Sequence, residues 1–294
     1  MKKPNFFIIG APKCGTTSLA RWLGEHPNIF VSKIKEPHYF YTDGNSKFIT
    51  IPCWKDYINL FNEADSRHYA IGEASVFYLF SKEAVRNILE KFPDAKFVIL
   101  LRNPVEMAAS LHWQEVYSEN EHLVDFEKAW EVQKMRTQGK MITAKCKEPK
   151  HLVYGDVCKL GDQLERLFDR VTQKNIQVLF LEDIIIDPQR SFMNVLRFLE
   201  VDDTFITDFI PKNTSKSVRS KMLRNLLKAC GSVKELIKIE NNTRLLAPLW
   251  RFNNPTGTKP IVSCNFKAKL QCYFRADIEK LELITGRNLS HWIS

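Results

Sequence analysis

The chain is predicted to fold as α/β, a parallel sheet flanked by helices, and three observations carry that expectation. Short apolar runs at Phe6–Ile9, Phe97–Leu101 and Gln177–Leu181 each precede a stretch whose apolar residues recur at helical spacing. The alternation of strands with helices is the pattern of crossover connections, which require a parallel sheet. No repeat or low-complexity tract interrupts the 294 residues. A sheet of this kind places its ligand beyond the carboxyl ends of its strands, and Lys13 and Arg102 both fall there.

In chain order, Phe6–Ile9 is the first strand; it breaks at Gly10, and Leu19, Trp22 and Leu23 mark the helix that follows. Weaker strands are expected at Ile29–Ser32 and Tyr69–Gly72, and helices at about 81–92, 104–118, 156–172, 218–229 and 265–285. After the third apolar run, Asp187 is the N-cap of a helix with Pro188 at its first position. Phe192, Val195, Leu196 and Leu199 share one face of that helix. Phe274, Ile278, Leu281 and Ile284 line a C-terminal helix in the same way. Residues 201–262, with Pro211, Asn213, Asn253, Asn254, Pro255 and Gly257, are less regular and read as functional loops of a single domain spanning 1–294.

The composition, with 44% apolar and 26% charged residues, is that of a globular protein able to bury a large core. The net charge of +9 favours anionic partners. A nucleotide with several phosphates suits it; nucleic acid is not expected, because no zinc-finger, KH or RNP pattern is present. The apolar run after Lys2 and Lys3 is too short for a signal peptide, and no run approaches membrane-spanning length. Seven cysteines without a C-x-x-C pair give no metal or redox motif and read as free thiols in a reducing cytoplasm.

Asn5 to Ser18 reads strand, glycine loop, helix, the arrangement in which backbone N–H groups and a helix N-terminus face a phosphate. Gly10 and Gly15 have the separation of the glycines in G-x-x-x-x-G-K-[ST]. The lysine that should follow the second glycine is replaced by Thr16, and a lysine stands inside the loop at Lys13. Pro12-Lys13-Cys14-Gly15-Thr16-Thr17-Ser18-Leu19 resembles the P-K-[CST]-G-T-[TS]-[STA]-L loop of sulfotransferases that use 3′-phosphoadenosine-5′-phosphosulfate, PAPS. The resemblance implies that Lys13, Cys14, Gly15, Thr16, Thr17 and Ser18 bind the donor's 5′-phosphosulfate. It also implies the product adenosine 3′,5′-bisphosphate and no metal. A sulfuryl group carries less charge than a triphosphate, so lysine, hydroxyls and helix dipole suffice.

The resemblance extends along the chain. Arg102-Asn103-Pro104 with Ser110 eight residues on matches the family's 3′-phosphate motif, and an arginine there offers a bidentate fork. Glu36-Pro37-His38-Tyr39-Phe40 resembles the E-x-x-F-F or E-x-H-F-F segment of the carbohydrate-type, heparan sulfate-like branch, where the glutamate takes the acceptor's proton. Desolvation beside aromatic side chains would raise that carboxyl's pKa. His38 and His112 are the rivals, because another branch uses histidine. Glu73-Ala74-Ser75 resembles a Glu-Lys-Ser/Thr segment whose assisting lysine is here Ala74, which moves the chain away from glycosaminoglycan acceptors. Tyr154 resembles a tyrosine near the nucleotide and equally suits a core position. The loop with Gly257, Thr258 and Lys259 stands where the family has a basic nucleotide-capping loop, and 273–292 resembles its closing helix and Leu-Ser-x-Trp tail.

The expected protein is therefore a cytoplasmic, soluble, bacterial-type PAPS-dependent sulfotransferase. Glu36 is the base, Lys13 stabilises the transferring group, and the acceptor is a small soluble glycoside or specialised metabolite, an alkaloid included. The alternatives are a Mg²⁺-dependent P-loop kinase, with Glu182-Asp183 at a strand end as metal carboxylates, and a non-catalytic nucleotide-binding module.

Overall fold

The computed structural model describes residues 2–210 and 262–294. Phe6–Gly10 forms β1, buried along its whole length. It is central: β1 pairs in parallel with β3 (Ala70–Ala74) on one side and β4 (Lys96–Leu101) on the other. β2 (Ile29–Val31) pairs with β3, and β5 (Ile176–Phe180) with β4, so the five strands run β2-β3-β1-β4-β5, all parallel. A strand covered on both faces needs a continuous apolar run instead of an alternating one. That is why Phe6-Phe7-Ile8-Ile9 and Phe97-Val98-Ile99-Leu100-Leu101 were so legible.

The order reverses about β1: the chain moves outward to β2, returns to β3, then crosses to β4. Such a reversal opens a crevice at the carboxyl ends. The loops after β1, β2, β3 and β4 all emerge at that end of a parallel sheet, and those after β1, β2 and β4 carry candidate residues.

Helices follow in chain order: α1 (Thr16–Gly24), α2 (Trp54–Asn59), α3 (Ala84–Lys91), α4 (Pro104–Tyr117), α5 (Phe126–Glu131), α6 (Gln133–Arg136), α7 (Tyr154–Val157), α8 (Leu160–Phe168), α9 (Leu181–Ile186), α10 (Pro188–Phe198) and α11 (Cys264–Thr285). Asp187 caps α10 by accepting from the Arg190 amide, with Pro188 in the first turn, and the four predicted apolar residues of that helix are buried. Asn103 caps α4 in the same way, accepting from the Val105 amide ahead of Pro104.

Two expectations change. The single helix at 156–172 is two, because the start of α8 is capped from outside: Asp277 of α11 accepts from the amides of Gly161 and Asp162 at 2.9 Å each. A Cβ on Gly161 would lie 2.3 Å from the Asp277 carbonyl oxygen, so the two helices meet backbone to backbone only because that residue is glycine. The strand expected at Gln177–Leu181 is β5, which ends at Phe180, and Leu181 begins α9. The helix expected at 218–229, the loop with Gly257, Thr258 and Lys259, and part of the domain span 1–294 lie outside the described residues. Among the described residues no helix is long and apolar enough to cross a membrane.

Candidate active site

Loop geometry comes first. Gly15 closes the β1–α1 loop at φ 91° as the N-cap of α1, which carries no side-chain cap. A Cβ there would be strained by that backbone and would lie 3.0 Å from Leu181 Cδ1. The amides of the first turn of α1 thus end at a helix terminus suited to an anion. Cys14 points the other way: it is fully buried, its Sγ is 3.4 Å from the Pro12 carbonyl, and burial pushes its thiol up to about 12. Its contribution to an anion site is therefore its backbone.

Lys13 takes φ 65° and donates from Nζ to Gln114 Oε1 on α4 at 2.8 Å. Burial lowers its pKa, and the nearby charges of Lys35 and Arg102 lower it further. Arg102, at the end of β4, places one guanidinium nitrogen 3.3 Å from the Lys13 carbonyl oxygen and gives Nε and its other nitrogen to Glu106 Oε2. Three cations thus converge on one loop, a field that an anion would relieve. Ser110 lies on α4, partly buried.

The β2 loop brings Glu36 to the same end of the sheet. Its amide donates to the Ala74 carbonyl at 3.0 Å, the His38 amide donates to Ser75 Oγ, and Ser75 Oγ donates to Glu73 Oε2 at 2.7 Å. The tail of β3 therefore anchors the loop. Lys13, Glu36 and His38 all hold positive φ (65°, 57° and 54°), a conformation that costs a side chain about 1–2 kcal/mol. Such backbone persists where surrounding contacts enforce it, and it clusters at functional sites.

Glu36 departs from the expected electrostatics. Burial raises its carboxyl, but the hydrogen bond from His38 and the charge of Lys35 outweigh this and hold it down at about 2. The contacts are His38 Nε2 at 3.4 Å from Oε2 and Lys35 Nζ at 3.0 Å from Oε1. Aromatic neighbours enclose His38, which is 2% exposed and stacked on Phe48 at 4.2 Å. Its Nδ1 is buried without a hydrogen-bond partner among the described residues. Glu36, by contrast, keeps 31% of its side chain exposed. His112 is fully buried in α4, its Nε2 is 2.8 Å from the Leu123 carbonyl, and burial lowers its pKa.

Two carboxyls beneath this site carry the raised pKa that Glu36 lacks. Burial lifts Glu73 to about 7 despite hydrogen bonds from Ser75, Tyr78 and Tyr57. Burial likewise lifts Glu115 to about 7, against the Asn120 side-chain hydrogen bond and the charge of Lys13. Ala74, at 2% exposure, offers no cation from β3. Tyr154 sits apart in the core, donating to Glu121 Oε2 at 2.8 Å, and Glu121 pairs with the buried Arg136. Glu182 and Asp183, the strand-end carboxylates, are engaged by Arg287, and Glu182 also by His291. They hold the C-terminal tail. Sequence reasoning missed Gln114 and Lys35, to which no motif pointed.

The family model for the sulfotransferase domain matches residues 3–234. A solved sulfotransferase from Alicyclobacillus acidocaldarius superposes with a TM-score of 0.75 at 25% identity, covering 100% of both chains. Membrane-associated sulfotransferase kil1 of Dictyostelium discoideum is 35% identical over 112 residues, 36% of this chain and 22% of that protein. Carbohydrate sulfotransferase 15 of Mus musculus is 30% identical over 146 residues, 35% of this chain and 26% of that protein. The aligned region thus spans about a quarter of the length of these curated relatives. With the family match covering most of the sequence and the five-stranded parallel sheet as its frame, this chain belongs to the sulfotransferase family of enzymes.

Proposed function

We propose that the protein transfers the sulfuryl group of PAPS to a hydroxyl or amine of a small acceptor, with Glu36 as general base. One observation carries this reading: Lys13, Arg102 and the N-terminus of α1 converge on one loop, and the partly exposed carboxylate of Glu36 lies beside them across Lys35. The donor supplies an activated sulfur. Lys13 and the backbone of Gly15 to Ser18 would hold its 5′-phosphosulfate and stabilise charge on the departing phosphate, a preorganised electrostatic role. Arg102 and Ser110 would hold the 3′-phosphate.

Glu36 is favoured over His38 by exposure and by connectivity. His38 is enclosed by aromatic rings and directs its one engaged nitrogen at Glu36, so it orients the carboxylate. The relatives are named for carbohydrate and membrane-associated sulfotransferases. For this chain a small soluble acceptor is the reading, a glycoside or specialised metabolite, with a cationic alkaloid among the candidates because Glu36 is anionic.

A panel of sugars, phenols and amines incubated with labelled PAPS tests it. Wild type should label at least one acceptor without added metal. Glu36→Gln should lower that turnover by about 10²–10⁴-fold with donor affinity retained, the contribution of a general base. His38→Asn should cost much less. Near-normal turnover by the glutamine variant would assign the proton to another group.

A further inference from the structure

The donor loop and the Glu36 loop share one cation. Lys35 Nζ donates to the hydroxyl of Thr17, in the first turn of α1, and lies 3.0 Å from Glu36 Oε1. Its side chain is 37% exposed, and an ammonium on a four-carbon stem reorients readily. Few titratable groups among the described residues face Glu36. Lys35 and His38 come from its own loop, Lys13 from the β1–α1 loop, Glu73 from β3 and Glu115 from α4. The two carboxyls favour the protonated form of Glu36, and the cations oppose it. Of the groups paired with Glu36 among the described residues, Lys35 also touches the anion loop.

We propose that Lys35 couples donor occupancy to the base: an anion seated on the loop draws the Lys35 ammonium away from Glu36, and Glu36 becomes an effective proton acceptor only then. This rests on the reading of the site as a PAPS site. Without an anion, Glu36 is held so low, at about 2, that it binds a proton weakly. A base works best with a pKa nearer the operating pH, so one of its two cationic or donating partners must be relieved before transfer. His38 is fixed by stacking, whereas Lys35 is free to turn. In the transfer itself the acceptor's proton passes to Glu36 and the acceptor atom bonds to sulfur. The bond from sulfur to the 5′-phosphate oxygen breaks, leaving its electron pair on the phosphate. Lys35 forms no bond and keeps its protons, which makes it a positioning residue.

The test is a carboxyl ¹³C NMR titration of the full chain with labelled glutamate, Glu36 being assigned from the Glu36→Gln spectrum. Each protein is titrated with and without saturating adenosine 3′,5′-bisphosphate. In wild type the nucleotide should raise the Glu36 pKa by about 1–3 units, the scale of losing an adjacent cation. Lys35→Met should start high and move little on adding nucleotide, while Lys35→Arg should restore both the low start and the rise. Equal nucleotide-induced shifts in wild type and Lys35→Met would mean that the anion's own field acts on Glu36, and would overturn the coupling while leaving the donor reading intact. Failure of wild type to bind the nucleotide would overturn the donor reading, and the coupling with it.

Discussion

Arg102 divides its guanidinium between the loop carbonyl of Lys13 and the carboxylate of Glu106, which is 61% exposed. A bond to a solvent-exposed carboxylate is worth little, so a phosphate could displace Glu106 at small cost. Arg102→Ala should weaken adenosine 3′,5′-bisphosphate by about 1.5–3 kcal/mol, the scale of a hydrogen bond to a charged group. Isothermal calorimetry should find binding of the nucleotide lacking the 3′-phosphate nearly unchanged; equal losses for both would make Arg102 a support of the loop alone. At this scale the sequence was informative about where residues lie, and Arg102 does meet the Lys13 carbonyl. Lys13 sits between two glycines and Arg102 at a strand end. It was silent on Gln114, about a hundred positions from Lys13, and on the fact that Lys35 reaches Thr17. It misjudged the field at Glu36, because the hydrogen bond from His38 and the charge of Lys35 outweigh the desolvation it foresaw.

The tail of β3 does two things at once: it anchors the Glu36 loop through Ala74 and Ser75, and it buries Glu73 between Tyr57, Ser75 and Tyr78. The folded pKa of Glu73, about 7, lies above the unfolded value of about 4.3. The sign follows. Stability is full below the unfolded value and declines as pH rises towards 7, because the unfolded chain ionises first. Glu73→Gln removes this loss, on the order of 3 kcal/mol at the upper end. Thermal melts from pH 4 to 8 should therefore show a smaller fall in Tm for the variant than for wild type, and an unchanged fall would mean that Glu73 ionises freely. The elements themselves were largely legible. All five strands lay where apolar runs predicted them, the short edge strand β2 included, because pairing on β3 needs only three residues. The break between α7 and α8 was not legible, since its cause is Asp277, more than a hundred residues downstream.

Across the whole molecule the net charge is +9, and Lys13, Lys35 and Arg102 are among the basic residues, meeting at the carboxyl end of the sheet. Fold and family are settled by the parallel sheet and by the match over residues 3–234. The central claim concerns which nucleotide that cationic end receives. It is tested most directly by calorimetric titration of the full chain, in EDTA, with adenosine 3′,5′-bisphosphate, ADP and ATP. Lys13 lies inside the loop instead of after the second glycine, and Arg102 stands at the neighbouring strand end. The account therefore predicts metal-independent binding of the 3′,5′-bisphosphate at least about tenfold tighter than ADP or ATP, a preference of about 1.4 kcal/mol or more. Preferential ATP binding that requires Mg²⁺ would contradict it.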